Sequence, residues 1–251
     1  MRHKRIALIT GANQGVGFQV AKELAADGVT MLIGARDMAK GEAAAREIGE
    51  GAIAVQLDVT DASSIAAAAE RIRSEVGRLD LLVNNAAVSR STRNDIALED
   101  YASHYSVAVV PLDEVRAIWE TNVFGPLAVY QAVLPLLRLS SDARVVNVGS
   151  GAGSLTLNAD SAFPYRKAYS PAYAGSKSAL EIIALSMMIE HEEDGIKVNL
   201  VSPEFTSTAL NNYQGVATLE DGSREVVRVA KFGPDGPSGT YTRWDNQTIP
   251  W

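Results

Sequence analysis

The chain has 251 residues, 47% of them hydrophobic, and a formal net charge of −7. That length and apolar content suffice for a full core in one domain, while the acidic balance disfavours the clustered basic surface that nucleic acid or an anionic membrane requires. The lack of any cysteine excludes disulfides, thiolate metal sites and cysteine nucleophiles, and suits a reducing cytoplasm.

Met1-Arg2-His3-Lys4-Arg5 ahead of Ile6-Ala7-Leu8-Ile9 has the basic-then-apolar order of a signal peptide, but the apolar run stops at Thr10-Gly11 with no small-residue cleavage pattern. It reads as a first buried strand, Arg5–Thr10, and no later run approaches membrane-spanning length. Strands at Thr30–Ala35, Ala52–Leu57 and Leu81–Asn84 follow, separated by helices over 15–27, 38–48 and 63–76. Further strands fall at Ala143–Val148 and Lys197–Ser202, with long helices over 112–138 and 171–193 and a last strand within Gly239–Trp244. Alternating β-branched runs and Ala-rich helical patterns are the signature of βαβ units. The expected fold class is therefore α/β, a Rossmann-like doubly wound parallel sheet in a single domain spanning 1–251.

Residues 88–111 and 151–170 break the rhythm. Both follow strands whose carboxyl ends border the ligand crevice of such a sheet, so they either shape a pocket or are surface insertions. The run Gly233–Gly239 is a turn-rich approach to the last strand. His3, His104 and His191 lack metal-ligand spacing, so no metal site is expected and all three are read as surface residues.

The first strand runs directly into Thr10-Gly11-Ala12-Asn13-Gln14-Gly15-Val16-Gly17 and then a helix. Glycines permit a tight turn and close approach of backbone to a pyrophosphate, and the helix N-terminus offers unpaired N–H groups to the anion. Three residues, rather than one, separate the first two glycines. The second strand ends in Gly34-Ala35-Arg36-Asp37, with alanine where an acid would bind a ribose 2′-hydroxyl. Arg36 can offer its planar fork to a 2′-phosphate, and Asp37 stands where it can cap the next helix. This pattern favours NADP(H) over NAD(H).

Of the eight tyrosines, only Tyr173 has a lysine four residues later, Lys177. The spacing puts phenol and ammonium on one helix face, about a turn apart. The cation is expected to lower a tyrosine pKa of about 10.

Taken together, the glycine pattern Thr10 to Gly17, Asp58-Val59 after the third strand, Asn84-Asn85-Ala86-Ala87 after the fourth, Asn122 in a long helix, a serine after the fifth strand and Tyr173 with Lys177 resemble the classical short-chain dehydrogenase/reductase family over essentially the whole chain. The resemblance implies a seven-stranded sheet, adenine contacts near Asp58 and Val59, ribose contacts around Asn85 and Ala86, and a catalytic tetrad of Ser150, Tyr173, Lys177 and Asn122. It extends the cofactor site to the glycine-rich turn (Gly11, Asn13, Gln14, Gly15, Val16, Gly17), to Arg36, to Tyr173 and Lys177, and to Thr206 and Thr208 at the carboxamide or phosphate end.

Several departures stand out. Gly149-Ser150 replaces the usual pair of serines, leaving Ser154 as a fallback; Gln14 stands where many NADP-using relatives have a basic residue; Ala87 and Glu204 replace glycines. The stretch between Ser150 and Tyr173 resembles the insertion of the family's carbonyl reductases. The implied activity is NADPH-dependent reduction of a ketone or aldehyde. An NAD-dependent alcohol dehydrogenase working oxidatively and a non-catalytic nicotinamide-nucleotide sensor are the alternatives. Leu155, Leu157, Phe163, Tyr165, Phe205 and Tyr213 suggest an apolar pocket for a small carbonyl or alcohol substrate, although they could equally pack the loops. Oligomeric state stays open among monomer, dimer and tetramer.

Overall fold

Every residue of β1 (Ile6–Thr10) is buried, because the strand lies at the centre of a sheet covered on both faces. The computed structural model describes residues 4–90 and 98–251. Seven strands pair in the order β3-β2-β1-β4-β5-β6-β7, all parallel, where β2 is Thr30–Ala35, β3 Ala52–Gln56, β4 Leu81–Asn84, β5 Arg144–Val148, β6 Lys197–Ser202 and β7 Tyr241–Arg243. The chain reverses direction across the sheet between β1 and β4, the switch point at which open α/β sheets bind ligands.

The period-two alternation of side chains sorts the strands into two cores. Ile6, Leu8, Leu32, Leu82, Val145 and Val198 face one way, against α3 (Ala62–Glu75), α6 (Gly125–Leu137) and α8 (Tyr173–Glu190). Ala7, Ile9, Met31, Ile33, Val83 and Val146 face the other, against α1 (Gly15–Ala26), α2 (Met38–Ile48) and α9 (Leu219–Ala230).

The helix expected over 112–138 is three pieces: α5 (Leu112–Trp119), a π-helical turn at Glu120–Phe124, and α6. The stretches 88–111 and 151–170 contain α4 (Leu98–His104) and α7 (Leu155–Ala159), and residues 91–97 of the first lie outside the described part, as does His3. His191 is not a surface residue. It is buried at the end of α8, its ring bonded to the Tyr130 hydroxyl and to Asp194.

Arg144 is fully buried in β5, and its guanidinium donates to Asn199 Oδ1, to the Pro237 carbonyl (2.9 Å) and to the Gly233 carbonyl (3.2 Å), with its face on the Phe232 ring. This gives the Gly233–Gly239 turns a role: they wrap the arginine and set the approach to β7. Burial pushes the guanidinium down to about 10. Arg144→Leu should strand the buried Asn199 Oδ1, release the Gly233–Gly239 turns from the strand and lower the unfolding free energy in urea titrations by roughly 2–4 kcal/mol.

Candidate active site

The turn after β1 passes through Gly11 (φ +64°) and Gly15 (φ +61°), a left-handed geometry that side chains resist. Thr10, buried beneath it, accepts at Oγ1 from the Asn85 and Ala86 amides (both 3.0 Å). The Asn85 side chain donates to the Thr10 and Gly11 carbonyls, at 2.9 and 3.3 Å. The loop after β4 is thus bolted to the turn, and Asn85 spends its amide on that joint rather than presenting it to a ribose. Gln14 precedes α1 in extended conformation without a side-chain cap, so the first-turn N–H groups of the helix, over Val16 and Gly17, stay open to an anion. Asn13 is half-buried in the same turn. Thr208 faces it, its methyl 3.6 Å from the point where a Gly15 side chain would begin.

At the end of β2, Ala35 is buried and Arg36 exposed. Asp37 accepts from the Lys40 amide (3.2 Å) and caps α2, the duller of the roles open to it. Asp58, half-buried, turns its carboxylate to the Thr60 amide and hydroxyl (2.9 and 2.7 Å), and Val59 packs against Gly125 at the start of α6. Thr206 is buried, with its hydroxyl donating to the Glu204 carbonyl (2.8 Å) and pressed on Gly222 of α9. Of the two threonines, Thr208 therefore faces the turn and Thr206 supports the loop from behind.

Ser150 follows β5, and Tyr173 opens α8. The Ser150 hydroxyl accepts from the Ala152 amide (3.3 Å) and lies near enough to the phenol to oppose its upward shift. Lys177, one turn on and buried, donates to the Val148 carbonyl (2.8 Å) and lies 5.8 Å from the centre of the Tyr173 ring. The expected lowering of the phenol by this lysine does not occur. Burial pushes Tyr173 up to about 12, with the nearby Ser150 hydroxyl opposing it, and burial pushes Lys177 down to about 8. Both shifts have one cause, since a desolvated crevice penalises the charged form of each group.

Asn122 sits fully buried in the π-helical turn, a feature that often marks functional sites. Its side chain accepts from the Val88 amide and donates to the Val88 carbonyl (both 2.8 Å) and to the Ser176 hydroxyl (3.0 Å). These bonds leave any water-holding role to the main chain of the turn. Ser154 caps α7 and donates to the Pro250 carbonyl (2.5 Å), so the fallback serine is committed elsewhere.

Leu155, Tyr165, Phe205 and Tyr213 are exposed, whereas Leu157 packs into the cluster around Tyr241 and Phe163 pairs edge-on with Tyr165. Tyr101 of α4 donates to the Ser89 carbonyl (3.4 Å) and stacks on Tyr105 at 4.4 Å. Sequence reasoning missed Glu181, which continues the four-residue series from Tyr173 and Lys177 onto the buried face of α8, its Oε1 2.7 Å from the point where a Gly153 side chain would begin. The spacing was the available signal.

Residues 5–217 match the family model for short chain dehydrogenases. A short-chain dehydrogenase of Penicillium roqueforti (strain FM164), anuI, is 35% identical over 243 residues, covering 92% of this chain and 90% of its own. Salutaridine reductase of Papaver somniferum is 29% identical over 294 residues, covering 95% of this chain and 94% of its own. That alignment is longer than this chain of 251 residues, so the plant enzyme carries stretches absent here. The solved structure of salutaridine reductase superposes with a TM-score of 0.79 at 28% identity, over 96% of this chain and 99% of that one. A menthone neomenthol reductase from Mentha piperita gives a TM-score of 0.75 at 25% identity, over 96% and 99%.

Proposed function

We propose, from the premise that this chain belongs to the short-chain dehydrogenase family, that it is an oxidoreductase which uses NADPH to reduce a ketone or aldehyde to the alcohol. The observation that carries the proposal is the meeting of Ser150, Tyr173 and the Lys177 amine at the carboxyl end of β5, with the amine bonded to the Val148 carbonyl and 5.8 Å from the centre of the phenol ring. The relatives named for their reactions, salutaridine reductase and menthone neomenthol reductase, support the direction.

The residues present fit a dinucleotide. Open N–H groups at the start of α1 and the two left-handed glycines suit a pyrophosphate, with Thr208 alongside. Arg36, exposed at the end of β2, suits a 2′-phosphate. An NAD-dependent enzyme would want an acid on the ribose, and Asp37 is already occupied as a helix cap. Asp58, Val59 and the Asn85–Ala86 backbone would line the adenosine side.

The cofactor supplies a hydride when bound. Ser150 and Tyr173 would hold the substrate oxygen between their hydroxyls, and Tyr173 would give it a proton as charge develops there. Burial keeps the phenol protonated at neutral pH and so suited to donate. Lys177 retains two donors beyond its bond to Val148, enough to hold the nicotinamide ribose and to favour the phenolate left by proton transfer. Asn122 fixes the π turn, whose carbonyls would hold the water that returns the proton. The exposed Leu155, Tyr165, Phe205 and Tyr213 would form an apolar rim for a small hydrophobic carbonyl compound. The cysteine-free sequence suits the reducing cytoplasm, where we place the reaction.

Arg36→Ala should raise KM for NADPH about tenfold or more, the worth of one charge-assisted pair, and leave KM for NADH nearly unchanged. Steady-state kinetics with both nucleotides checks it, and equal effects would remove the 2′-phosphate role.

A further inference from the structure

We propose that Ile249, Pro250 and Trp251 are positioning residues for α7, and that through α7 they decide how well the substrate rim grips an apolar substituent. The inference rests on the reading of Leu155 and Tyr165 as part of that rim.

Helix α7 cannot hold itself. It has five residues, far below the roughly 12–15 under which isolated helices are at best marginal in water, so tertiary contacts must fix it. Leu155 is exposed on its outer side, while Ser154 and Asn158 are buried on the inner one. Asn158 ties the helix to its own loop by donating to the Ala152 and Ser154 carbonyls, at 3.1 and 2.8 Å. Arg166 Nε donates to the Asn158 carbonyl (2.9 Å), so the turn that carries Tyr165 moves with the helix.

Further contacts come from a segment far along the chain. The fully buried Ser154 hydroxyl donates to the Pro250 carbonyl at 2.5 Å, and the Thr156 hydroxyl to the main-chain oxygen of Trp251 at 2.7 Å. Leu157 packs with Ile249 and Trp251 in the cluster around Leu180, Leu200 and Tyr241. A side chain on Gly151 would begin 3.9 Å from Ile249 Cδ1 and from Leu157 Cδ1, so segment and helix meet over the residue that follows Ser150.

The segment is itself braced. After β7 the chain turns back through Asn246 (φ +64°), and the return run pairs with the strand: the Arg243 amide donates to the Gln247 carbonyl (2.9 Å) and the Ile249 amide to the Tyr241 carbonyl (2.8 Å). The Arg243 guanidinium clips the same turn through Asp245 and Gln247, at 2.8 and 2.7 Å. Trp251 then lies 5.4 Å from the Tyr241 ring, whose hydroxyl donates to the Ser150 carbonyl (2.7 Å). A hairpin on the edge of the sheet thus reaches past the Ser150 loop and grips the inner side of α7, and Leu155 and Tyr165 stand where that grip puts them.

Trp251→Ala removes part of the grip without touching the glycine-rich turn, Tyr173 or Lys177. NADPH affinity and kcat with cyclohexanone should stay near wild type. For cyclohexanones with an alkyl substituent that reaches the rim, KM should rise about tenfold, the scale that one or two methylenes carry in a pocket. Trp251→Phe should restore the wild-type order, and Ser154→Ala, which loses the bond to Pro250 and the cap, should shift it in the same direction as Trp251→Ala. In hydrogen exchange the Leu157 and Asn158 amides, both bonded to Ser154, should lose protection in Trp251→Ala while those of α8 keep theirs. Unaltered exchange at these two amides, or a KM rise equal for cyclohexanone and its substituted homologues, would overturn the proposal. Calorimetry of the same ketones on NADP-loaded wild type and variant reads the selectivity without turnover. Ketones that wild type binds but does not reduce would sink the reductase reading alone and leave the binding ratio to decide the role of the segment; ketones that it does not bind would overturn both.

Discussion

Tyr173→Phe should bind NADPH with near wild-type affinity and lose two to four orders of magnitude in turnover. Removing one oxygen keeps the ring against Ile118 and Ala172 and leaves the glycine-rich turn, which lies on a different loop, undisturbed. What disappears is the proton donor. General acid catalysis is worth about 10² to 10⁴-fold, or roughly 3 to 5 kcal/mol of barrier, far more than the packing change can cost. Ser150 keeps its hydroxyl, held by the Ala152 amide, for the substrate oxygen, so residual activity should stay measurable. Fluorescence titration with NADPH and single-turnover rates separate binding from chemistry, and unchanged turnover would take Tyr173 out of the reaction.

Gly17→Ala should produce the next largest effect, on cofactor binding. Alanine in a helix ordinarily gains about 1 kcal/mol over glycine. Here the new methyl would start 2.3 Å from Asn85 Nδ2 and 3.1 Å from the Gly11 carbonyl. Asn85 cannot step aside without releasing the Thr10 and Gly11 carbonyls it holds, so the overlap must move the helix start or the turn. Overpacking of this kind costs roughly 1–3 kcal/mol, which outweighs the propensity gain and corresponds to about five- to a hundredfold in affinity. Calorimetric titration with NADPH reads it directly, and wild-type affinity would show that the first turn of α1 does not hold the pyrophosphate.

The sheet was legible because its strands are covered on both faces and so read as unbroken apolar runs, as in Ile6–Ile9 and Leu81–Val83. Tyr173 and Lys177 were legible because helical neighbours repeat every four residues. The break at Glu120–Phe124 was hidden, since a π turn keeps the local composition of a helix and reveals itself only through its hydrogen bonds. Helix α9 escaped notice behind Gly222 and Ser223, although Val226, Val227, Val229 and Ala230 mark its buried side. Gly222 is there because Thr206 leaves no room for a side chain. The direction of the Tyr173 shift could not be read from spacing, because burial outweighs a lysine that is itself desolvated. Glu181 lay on the visible helical series, but its burial against the Gly153 backbone shows only in the folded chain.

The most direct test offers the enzyme C4-deuterated NADPH with a panel of apolar ketones, aldehydes and quinones, wild type beside Tyr173→Phe, and follows deuterium by mass spectrometry. The expected result is label on the carbinol carbon of at least one product with wild type, at a rate at least 10²-fold above the variant. Tight NADPH binding with no labelled product from any carbonyl compound, or equal labelling by both proteins, would contradict the account.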